Sequence, residues 1–377
     1  MSKTFIYADH AATTALSPTA YASMQPWFQD KFGNPSTFYS LAREPRKAVS
    51  SARSIIAECI GAEPKEIYFT SGGTESDNWA LTGSAFRQID RCGHIITSNI
   101  EHHAILHTCE FLKHMGCTVD FLPVDGEGIA SVRALEKCVR NDTLLVSVML
   151  ANNEIGTIEP IKELAEVAHQ SGCLFHTDAV QAVGHIPVDV KELGVDMLSA
   201  SAHKFNGPKG TGFLYIRDGI PIEPLLHGGV QENGQRAGTE NVAGIVGMAA
   251  ALQEHHAQLE HEMSYLCKLS QVLVKALRNK NLDFFVNGSA HRIPGSLSLS
   301  FRDADGEMLM HRLDLMGTVV ATGSACDSKN AALSHVITSI GVPDSHAHGT
   351  IRVTLGMDNT INQMKDLAEQ ISRILSK

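Results

Sequence analysis

The sequence predicts an α/β protein, with a large domain built on a mostly parallel sheet flanked by helices and a smaller α+β domain toward the C-terminus. Three observations lead to this prediction. Over the first two thirds of the chain, short apolar strands alternate with helical stretches, as in right-handed βαβ crossovers. Further on, the segments 295–301 and 349–355 alternate strictly between apolar and other residues, as half-exposed strands do. A chain of 377 residues is also long for one hydrophobic core.

Apolar runs mark the strands of the large domain, and apolar residues at helical spacing mark its helices. The run at 143–150 is continuous, which is typical of a strand covered on both faces. The organisation changes near residue 255, and we place the domain boundary there. The predicted strands before that point lie at 66–70, 95–97, 119–122, 143–150 and 173–177, and the predicted helices after it include 306–316, 331–340 and 361–375.

The charge balance argues against a surface built for nucleic acid. The formal net charge is −10, whereas binding to phosphate backbones needs a basic patch. The N-terminal residues lack the basic and apolar regions of a secretory signal, and no apolar run reaches the roughly 18 residues that cross a bilayer. We therefore expect a cytoplasmic protein that contacts neither nucleic acid nor membrane directly.

Cysteine and histidine are frequent, but their spacing does not predict a metal site. The eight cysteines include no Cys-x-x-Cys pair, so neither a disulfide framework nor a zinc site is expected. Most of them are expected to be small buried side chains in a reducing compartment. The pairs His255/His256 and His346/His348 have no carboxylate or cysteine partner at ligand spacing, and we expect them on the solvated surface.

Lys204 is the candidate around which a site can be built. It follows an apolar segment and precedes a glycine-rich run, where backbone can approach a ligand closely. Such a lysine can act as a nucleophilic amine toward a carbonyl, although a lone lysine in a loop more often pairs with a carboxylate. Asp178 ends another apolar strand upstream and favours the nucleophilic role. An amine and an acid at strand ends suit pyridoxal phosphate, whose aldehyde binds a lysine and whose ring nitrogen pairs with an acid.

A glycine turn between a strand and a helix supplies a candidate phosphate site. In the run TSGGTE, Gly73 lies where a helix starts and Thr74 adds a hydroxyl group. The start of a helix presents free N–H groups and the positive end of the helix dipole. Asn153, Asp178 and Lys204 all fall at the carboxyl ends of predicted strands, where ligands of parallel sheets bind. The sequence thus predicts one cofactor pocket at that edge of the sheet.

Eight short motifs occur in order over nearly the whole chain. They are DHAATT (9–14), GNPS (33–36), TSGGTE (70–75), EHH (101–103), NNEIG (152–156), HK (203–204), RAGTEN (236–241) and GSAC (323–326). In this combination the sequence resembles the cysteine desulfurases, of the iron–sulfur-assembly type, within the class V aminotransferases and the fold-type I pyridoxal-phosphate enzymes. The resemblance implies pyridoxal phosphate as cofactor, L-cysteine as substrate and a homodimer. It also implies that the N-terminal arm packs onto the small domain, which gives a large domain at 14–255 and a small one at 1–13 and 256–377.

The resemblance implies a role for each candidate residue. Lys204 binds the aldehyde of the cofactor, Asp178 pairs with its ring nitrogen, and His102 lies over the ring and moves protons. Thr239 reaches the phosphate bound by the neighbouring subunit. The cofactor-binding set is Gly73, Thr74, His102, Asn153, Asp178, Gln181, Ser201, His203, Lys204 and Thr239. The substrate-binding set is Asn34, Asn153 and Arg352, although its strand position alone predicts that Arg352 is an exposed structural arginine.

Cys326 is the residue that decides the function. It lies in a polar loop, whereas the other cysteines lie in apolar or helical settings. The resemblance implies that its thiolate takes sulfur from L-cysteine, which leaves L-alanine and a persulfide for transfer to an acceptor protein, and that it can be a transient iron–sulfur ligand. Otherwise no metal ligand is predicted. The sequence departs from the family pattern at Asp327 and Val230, which bears on the acceptor and not on the reaction.

Two alternative functions stay open. A selenocysteine lyase would use the same cofactor, whereas an aminotransferase needs no thiol nucleophile and is disfavoured by Cys326. A catalytically silent scaffold for sulfur assembly is disfavoured because Lys204, His102, Asp178 and Cys326 occur together. The sequence does not identify the acceptor, which could serve iron–sulfur cluster assembly or the thiolation of tRNA, a cofactor or DNA.

Overall fold

The computed structural model describes residues 5–87, 93–323 and 333–376. Within these residues the largest sheet has seven strands in the order β2-β8-β7-β6-β5-β3-β4. The strands from β7 through β6, β5 and β3 to β4 pair in parallel, and β2 and β8 add the antiparallel pairs. The strands of this sheet are β2 (Ile67–Thr70), β3 (His94–Ser98), β4 (Thr118–Leu122), β5 (Thr143–Ser147), β6 (Leu174–Asp178), β7 (Met197–Ser201) and β8 (Gly212–Ile216). The predicted α/β class with a mostly parallel sheet is confirmed.

The remaining strands in the described part of the chain form two small sheets. One is antiparallel in the order β12-β10-β9, and the other pairs β1 with β11 in parallel. Strictly alternating residues thus do form strands, as the sequence predicts. The expectation that these strands are half-exposed was wrong, because every residue of 296–301 and 350–354 is buried and the polar face is covered as well as the apolar one. These strands are β1 (Ile6–Tyr7), β9 (Phe284–Asn287), β10 (Ser296–Phe301), β11 (Thr318–Val319) and β12 (Thr350–Thr354).

Helices flank the large sheet and cover the three-stranded one. Several begin at side-chain caps that satisfy free backbone N–H groups, as Asn241 does for the longest helix. The helices of the described chain are α1 (Pro18–Met24), α2 (Arg43–Cys59), α3 (Gly73–Phe86), α4 (His103–His114), α5 (Val132–Cys138), α6 (Ile161–Gln170), α7 (Val190–Leu193), α8 (Val242–Asn279), α9 (Gly306–Leu315), α10 (His335–Ser339), α11 (Asp344–Ala347) and α12 (Ile361–Leu375). None of them is both long enough and apolar enough to cross a membrane.

Two large apolar cores lie on either side of the middle of α8. Ile245 and Leu252 pack into the core of the seven-stranded sheet, and Leu266 and Leu277 pack into the core of the three-stranded sheet. Ile6 of the N-terminal arm belongs to the second core. The predicted boundary at 255 falls inside this continuous helix, and the division into 14–255 and 1–13 with 256–377 stays a prediction.

Candidate active site

A cavity of about 350 Å³ opens beside the ends of the central strands. Asp178 and Ser201 are the last residues of β6 and β7, and a segment of the N-terminal arm forms another wall through Ala11 and Ala12. The cavity gathers ten of the predicted site residues, which come from distant parts of the sequence. They are Gly73, Thr74, His102, Asn153, Asp178, Gln181, Ser201, His203, Lys204 and Arg352.

The start of α3 forms an open cradle at the edge of this cavity. Gly72 precedes the helix with φ 150° and makes no side-chain cap bond, so that the first N–H groups of α3 are not satisfied by a capping side chain. A Cβ atom at Gly73 would lie 2.6 Å from Cγ2 of Val180, which explains why the position needs glycine. The Ser201 hydroxyl lies nearby, since its Oγ would be 3.5 Å from a Cβ atom added at Gly72. Free N–H groups at a helix start and a hydroxyl suit a phosphate.

Lys204 reaches across to the N-terminal arm. Its Nζ donates hydrogen bonds to the carbonyl oxygens of Ala11 at 2.5 Å and Ala12 at 3.1 Å. Gln181 contacts the same arm, since its Nε2 donates to the Ala11 carbonyl at 3.1 Å. The Lys204 side chain therefore lies against the backbone of the N-terminal arm within the cavity.

Asp178 is a buried acid that faces the charge of Lys204. Burial raises the pKa of the Asp178 carboxyl to about 6, while a hydrogen bond from the Val180 amide and the nearby charge of Lys204 act in the opposite direction. Asp77 of α3 also lines the cavity, and burial, together with the charge of Asp178, raises its pKa well above the usual range. Two buried acids beside one cavity favour the binding of a cationic group.

His102 is the N-cap residue of α4, and this position fixes its ring. Its Nδ1 accepts a hydrogen bond from the Ala104 amide at 3.1 Å, so that the proton of the neutral ring is on Nε2. Burial lowers the pKa of His102 to about 4, and the charge of Lys204 adds to the shift. The ring is therefore neutral near pH 7, and a flat neutral imidazole can pack on an aromatic ligand and exchange a proton.

Glu101 braces the turn that carries His102. Its carboxylate is fully buried, accepts a hydrogen bond from the Ser98 hydroxyl at 2.6 Å and also accepts from the Met149 amide at 3.0 and 3.1 Å. Burial raises its pKa to about 8. This acid joins the end of β3 to the segment after β5, and it thereby fixes one wall of the cavity.

Arg352 corrects one expectation from the sequence. Its strand position predicts an exposed structural arginine, but the residue is only 7% exposed. One terminal nitrogen of the guanidinium donates to the Asp9 carboxylate at 2.8 Å and the other donates to the Asn153 carbonyl at 3.0 Å. Its buried Nε has no hydrogen-bond partner among the described residues. The expectation was wrong because the face of β12 opposite its apolar residues is covered by the N-terminal arm and the 153 loop, which one strand's alternation cannot reveal.

Two predicted residues, Asn34 and Thr239, lie outside the cavity wall, and a third is not among the described residues. Asn34 accepts a hydrogen bond from the Ser36 amide at 3.0 Å and does not line the cavity. Thr239 is exposed and also lies outside the cavity wall of its own chain. Cys326 lies outside the described residues, although Gly323, three residues earlier in the sequence, lines the cavity.

The sequence reasoning missed several residues of the wall. Asp77 lies one helical turn beyond Gly73, and Glu154 follows Asn153, so that both were within or beside motifs already identified. Glu154 accepts a hydrogen bond from the Ser334 hydroxyl at 2.6 Å. His335 also lines the cavity and contacts the Glu101 carbonyl at 3.0 Å through Nε2. No motif pointed to His335. Among the described residues, no group of three or more ligand-type side chains is arranged to hold a metal.

Comparison with known proteins gives the family. Residues 6–367 match the family model described as aminotransferase class-V. A curated protein named cysteine desulfurase IscS, from Dictyoglomus turgidum, is 49% identical over 373 residues, which cover 99% of this chain and 95% of that protein. The chain belongs to the cysteine desulfurases of the aminotransferase class-V family. The cysteine desulfurases are enzymes that depend on pyridoxal phosphate, so the predicted family, enzyme class and cofactor are confirmed.

Solved structures of similar proteins agree with this membership in the cysteine desulfurases. The structure of a NifS-like protein superposes with a TM-score of 0.93 at 38% identity and covers 99% of this chain and 100% of that chain. The structure of SspA in complex with cysteine gives a TM-score of 0.84 at 36% identity and covers 93% of this chain and 99% of that chain. In SspA, therefore, the same fold holds a bound cysteine.

The residues of the cavity fit the cofactor of the cysteine desulfurases. The open start of α3 suits the phosphate, the neutral ring of His102 suits the face of the pyridine, and the buried Asp178 suits a protonated ring nitrogen. Lys204 lies in the same cavity, where its side-chain amine suits the aldehyde of the cofactor. When bound, pyridoxal phosphate draws electrons from the α-carbon of an amino acid substrate and so weakens the bonds around that carbon.

Proposed function

We propose that the protein removes sulfur from L-cysteine and gives L-alanine and a persulfide on Cys326. In the balanced step, the Cβ–S bond of the substrate breaks and a bond forms between the substrate sulfur and the sulfur of Cys326. The electron pair of the broken bond stays on carbon, which takes up a proton. One observation carries the proposal: a single cavity is lined by Lys204, Asp178, His102 and Arg352. The wall of this cavity also includes Gly323, which is close in sequence to Cys326.

The roles proposed for the residues follow their chemistry. Lys204 holds the aldehyde of the cofactor, and Asp178 holds its ring nitrogen and keeps the positive charge there. His102 packs on the ring and carries protons to and from the substrate. The planar guanidinium of Arg352 binds the α-carboxylate of cysteine through the donors that Asp9 and Asn153 leave open. The phosphate is assigned to the start of α3 with Ser201 and His203, and the phenolic oxygen to Gln181.

The products test this function directly. Purified enzyme loaded with cofactor is given L-cysteine and a thiol reductant, and alanine and sulfide are measured over time. We expect one alanine for each sulfide, because the carbon skeleton keeps its amino group when the sulfur leaves to a thiolate. Pyruvate and ammonia in place of alanine would contradict the proposal, since they indicate elimination without a protein nucleophile.

We also propose that the enzyme is a two-fold dimer in which Thr239 reaches the phosphate bound by the neighbouring subunit. Phe38 is fully exposed and Val230 is 86% exposed, which is unusual for large apolar side chains on a monomer. The Ser36 hydroxyl donates to the Glu240 carboxylate at 2.8 Å, so that the segment near Phe38 is tied to the segment of Thr239. Asn34, in the same segment, would then serve the site from its position outside the cavity wall. The sulfur acceptor is proposed to be another protein that docks where Cys326 is reached.

A charge placed in the exposed apolar surface should weaken this dimer. For Val230→Asp we expect the dimer dissociation constant to rise at least about tenfold, because association would bury the new carboxylate. Sedimentation measures the change. The control is Leu315→Asp at another exposed apolar side chain, which is 74% exposed, and we expect no change there. Dissociation to the same extent by both variants, or a wild type that is monomeric with full cofactor occupancy, would refute the assignment.

A further inference from the structure

A second cleft, of about 690 Å³, lies beneath the loop that carries Lys204. The N-terminal arm, α8 and the segment 355–358 line it, and it contains His255, which the sequence places on the solvated surface. His255 is only 8% exposed, so that expectation was wrong, as it was for His346 at 6%. The burial of His255 was not predicted because the segments that cover it, the N-terminal arm and the loop of Asn206, are distant in sequence.

Both nitrogens of the His255 ring face hydrogen-bond acceptors. Nδ1 lies 2.8 Å from a carboxylate oxygen of Glu262, and Nε2 lies 2.9 Å from Oδ1 of Asn206. The orientation of the Asn206 amide is fixed independently, because its Nδ2 donates to the Ala15 carbonyl at 2.8 Å. The oxygen of Asn206 must then face His255. A ring that faces a carboxylate and an amide oxygen can donate to both only when both nitrogens carry protons.

Asn206 is the residue that shapes the loop after Lys204. It has a left-handed backbone with φ 59°, and its backbone N–H donates to the Thr14 hydroxyl at 2.8 Å. The Ser17 amide donates to the Asn206 carbonyl at 2.9 Å. Asparagine adopts this conformation more readily than most residues other than glycine, and its hydrogen bonds to neighbouring segments hold it here. His255 supplies one of these restraints from a rigid helix.

A second histidine holds the other side of the same loop. Nε2 of His185 contacts the Lys204 carbonyl at 3.0 Å, and the His185 ring packs edge to face on His255 with centroids 5.8 Å apart. Burial lowers the pKa of His185 to about 4, so its neutral ring donates from Nε2. The other ionisable groups around the cleft are Tyr7, His10, Lys209, Glu254 and Asp358.

We propose that His255 is a positioning residue whose ring, doubly protonated and paired with Glu262, donates to Asn206 and thereby fixes the loop of Lys204. A carboxylate acceptor such as Glu262 stabilises the charged ring within α8, and the bond to Asn206 joins α8 to the loop outside the active-site cavity. The functional part of this inference rests on the proposed role of Lys204. The structural part does not, since it concerns only the protonation of one ring and the rigidity of one loop.

Hydrogen exchange in the cofactor-loaded enzyme tests the rigidity of the loop. For His255→Gln we expect the amides of residues 203–207 to exchange about tenfold faster, because a charged donor to Asn206 is lost. The matched control is His256→Gln, the same change at the next position on α8, where the side chain is exposed. No change in the control and a local change in His255→Gln support the proposal. Equal exchange in wild type and His255→Gln would overturn it.

The charge on the ring is tested by a second variant and by spectroscopy. In Glu262→Gln the ring loses its ionic partner but keeps an acceptor, and we expect the amides of 203–207 to exchange faster than in the wild type. If His255 only packs against the loop, this variant would keep the wild-type exchange rate. Nitrogen NMR of labelled wild type should find both ring nitrogens protonated at neutral pH, and a single protonated nitrogen would refute the proposal even if His255→Gln does not fold.

These readouts separate the inference from the proposed function. If alanine is not formed from L-cysteine but the exchange and NMR results are as expected, the positioning role of His255 stands and the function fails. If alanine is formed but the loop exchanges equally in all variants, the function stands and the positioning role fails.

Discussion

Lys204→Ala is expected to stop the turnover of L-cysteine, with kcat/KM lower by at least about 10³-fold. The side chain enters the cavity from the loop after β7, and alanine ends far short of the place that the amine occupies. Alanine production from L-cysteine measures the effect. The cofactor gives a second measurement. In the wild type, borohydride should bleach the visible band and leave the cofactor attached to Lys204 after denaturation, whereas the variant should keep no attached cofactor.

The control for this change is Lys191→Ala, which removes a lysine whose side chain is 65% exposed on α7. We expect it to keep the activity and the colour of the wild type. A Lys204→Ala protein that forms alanine at the parental rate would contradict the proposed role of this amine. It would also leave the loop that His255 restrains without a catalytic group to position.

Cys326→Ala is expected to lower sulfur release from L-cysteine by at least about 10³-fold, because the nucleophile that accepts the sulfur is absent. The measurement uses radiolabelled cysteine and follows label that stays on the protein under non-reducing conditions. The wild type should carry about one label per chain and Cys326→Ala none. The control is Cys267→Ala, which removes an exposed free cysteine on α8 and should change neither quantity.

The same variant tests the alternative that the enzyme is a selenocysteine lyase. Selenide release from L-selenocysteine is measured beside sulfide release from L-cysteine in wild type and Cys326→Ala. A cysteine desulfurase loses sulfide release when the thiol is removed, whereas parental sulfide release by the variant would contradict the persulfide mechanism. Transfer of the label from wild-type enzyme to a captured protein would then identify the acceptor.

Much of the site could be predicted because each residue follows an element with a clear local pattern. Asp178 and Lys204 follow buried apolar strands, and Gly73 starts a helix after a glycine turn, so that the topology of a parallel sheet brings them together. The roles of His102 and Cys326, in contrast, came from the motifs as a set and not from the local pattern. The local pattern and the fold class therefore predicted where the site lies, whereas the set of motifs predicted what His102 and Cys326 do.

The wrong predictions for Arg352 and His255 share one physical cause, which is burial by segments distant in sequence. Alternation along β12 shows that Arg352 lies opposite the apolar face, but only the packing of Asp9 and the Asn153 carbonyl against it makes that face an interior. His255 was likewise misplaced because Asn206, its partner, is 49 positions away. Local periodicity reports the direction of a side chain relative to its own element, and it carries no information on which other element covers it.

The 38 residues of α8 form a continuous rod that is shared by two cores. Helix formation is cooperative, and a helix unfolds at low free-energy cost only at its ends. Neither core can therefore unfold unless α8 breaks in its middle or the other core unfolds as well. The two halves of the molecule should therefore lose structure in a single thermal transition. The loop of Lys204 contacts this helix through Asn206 and His255, so we expect its rigidity to depend on both cores.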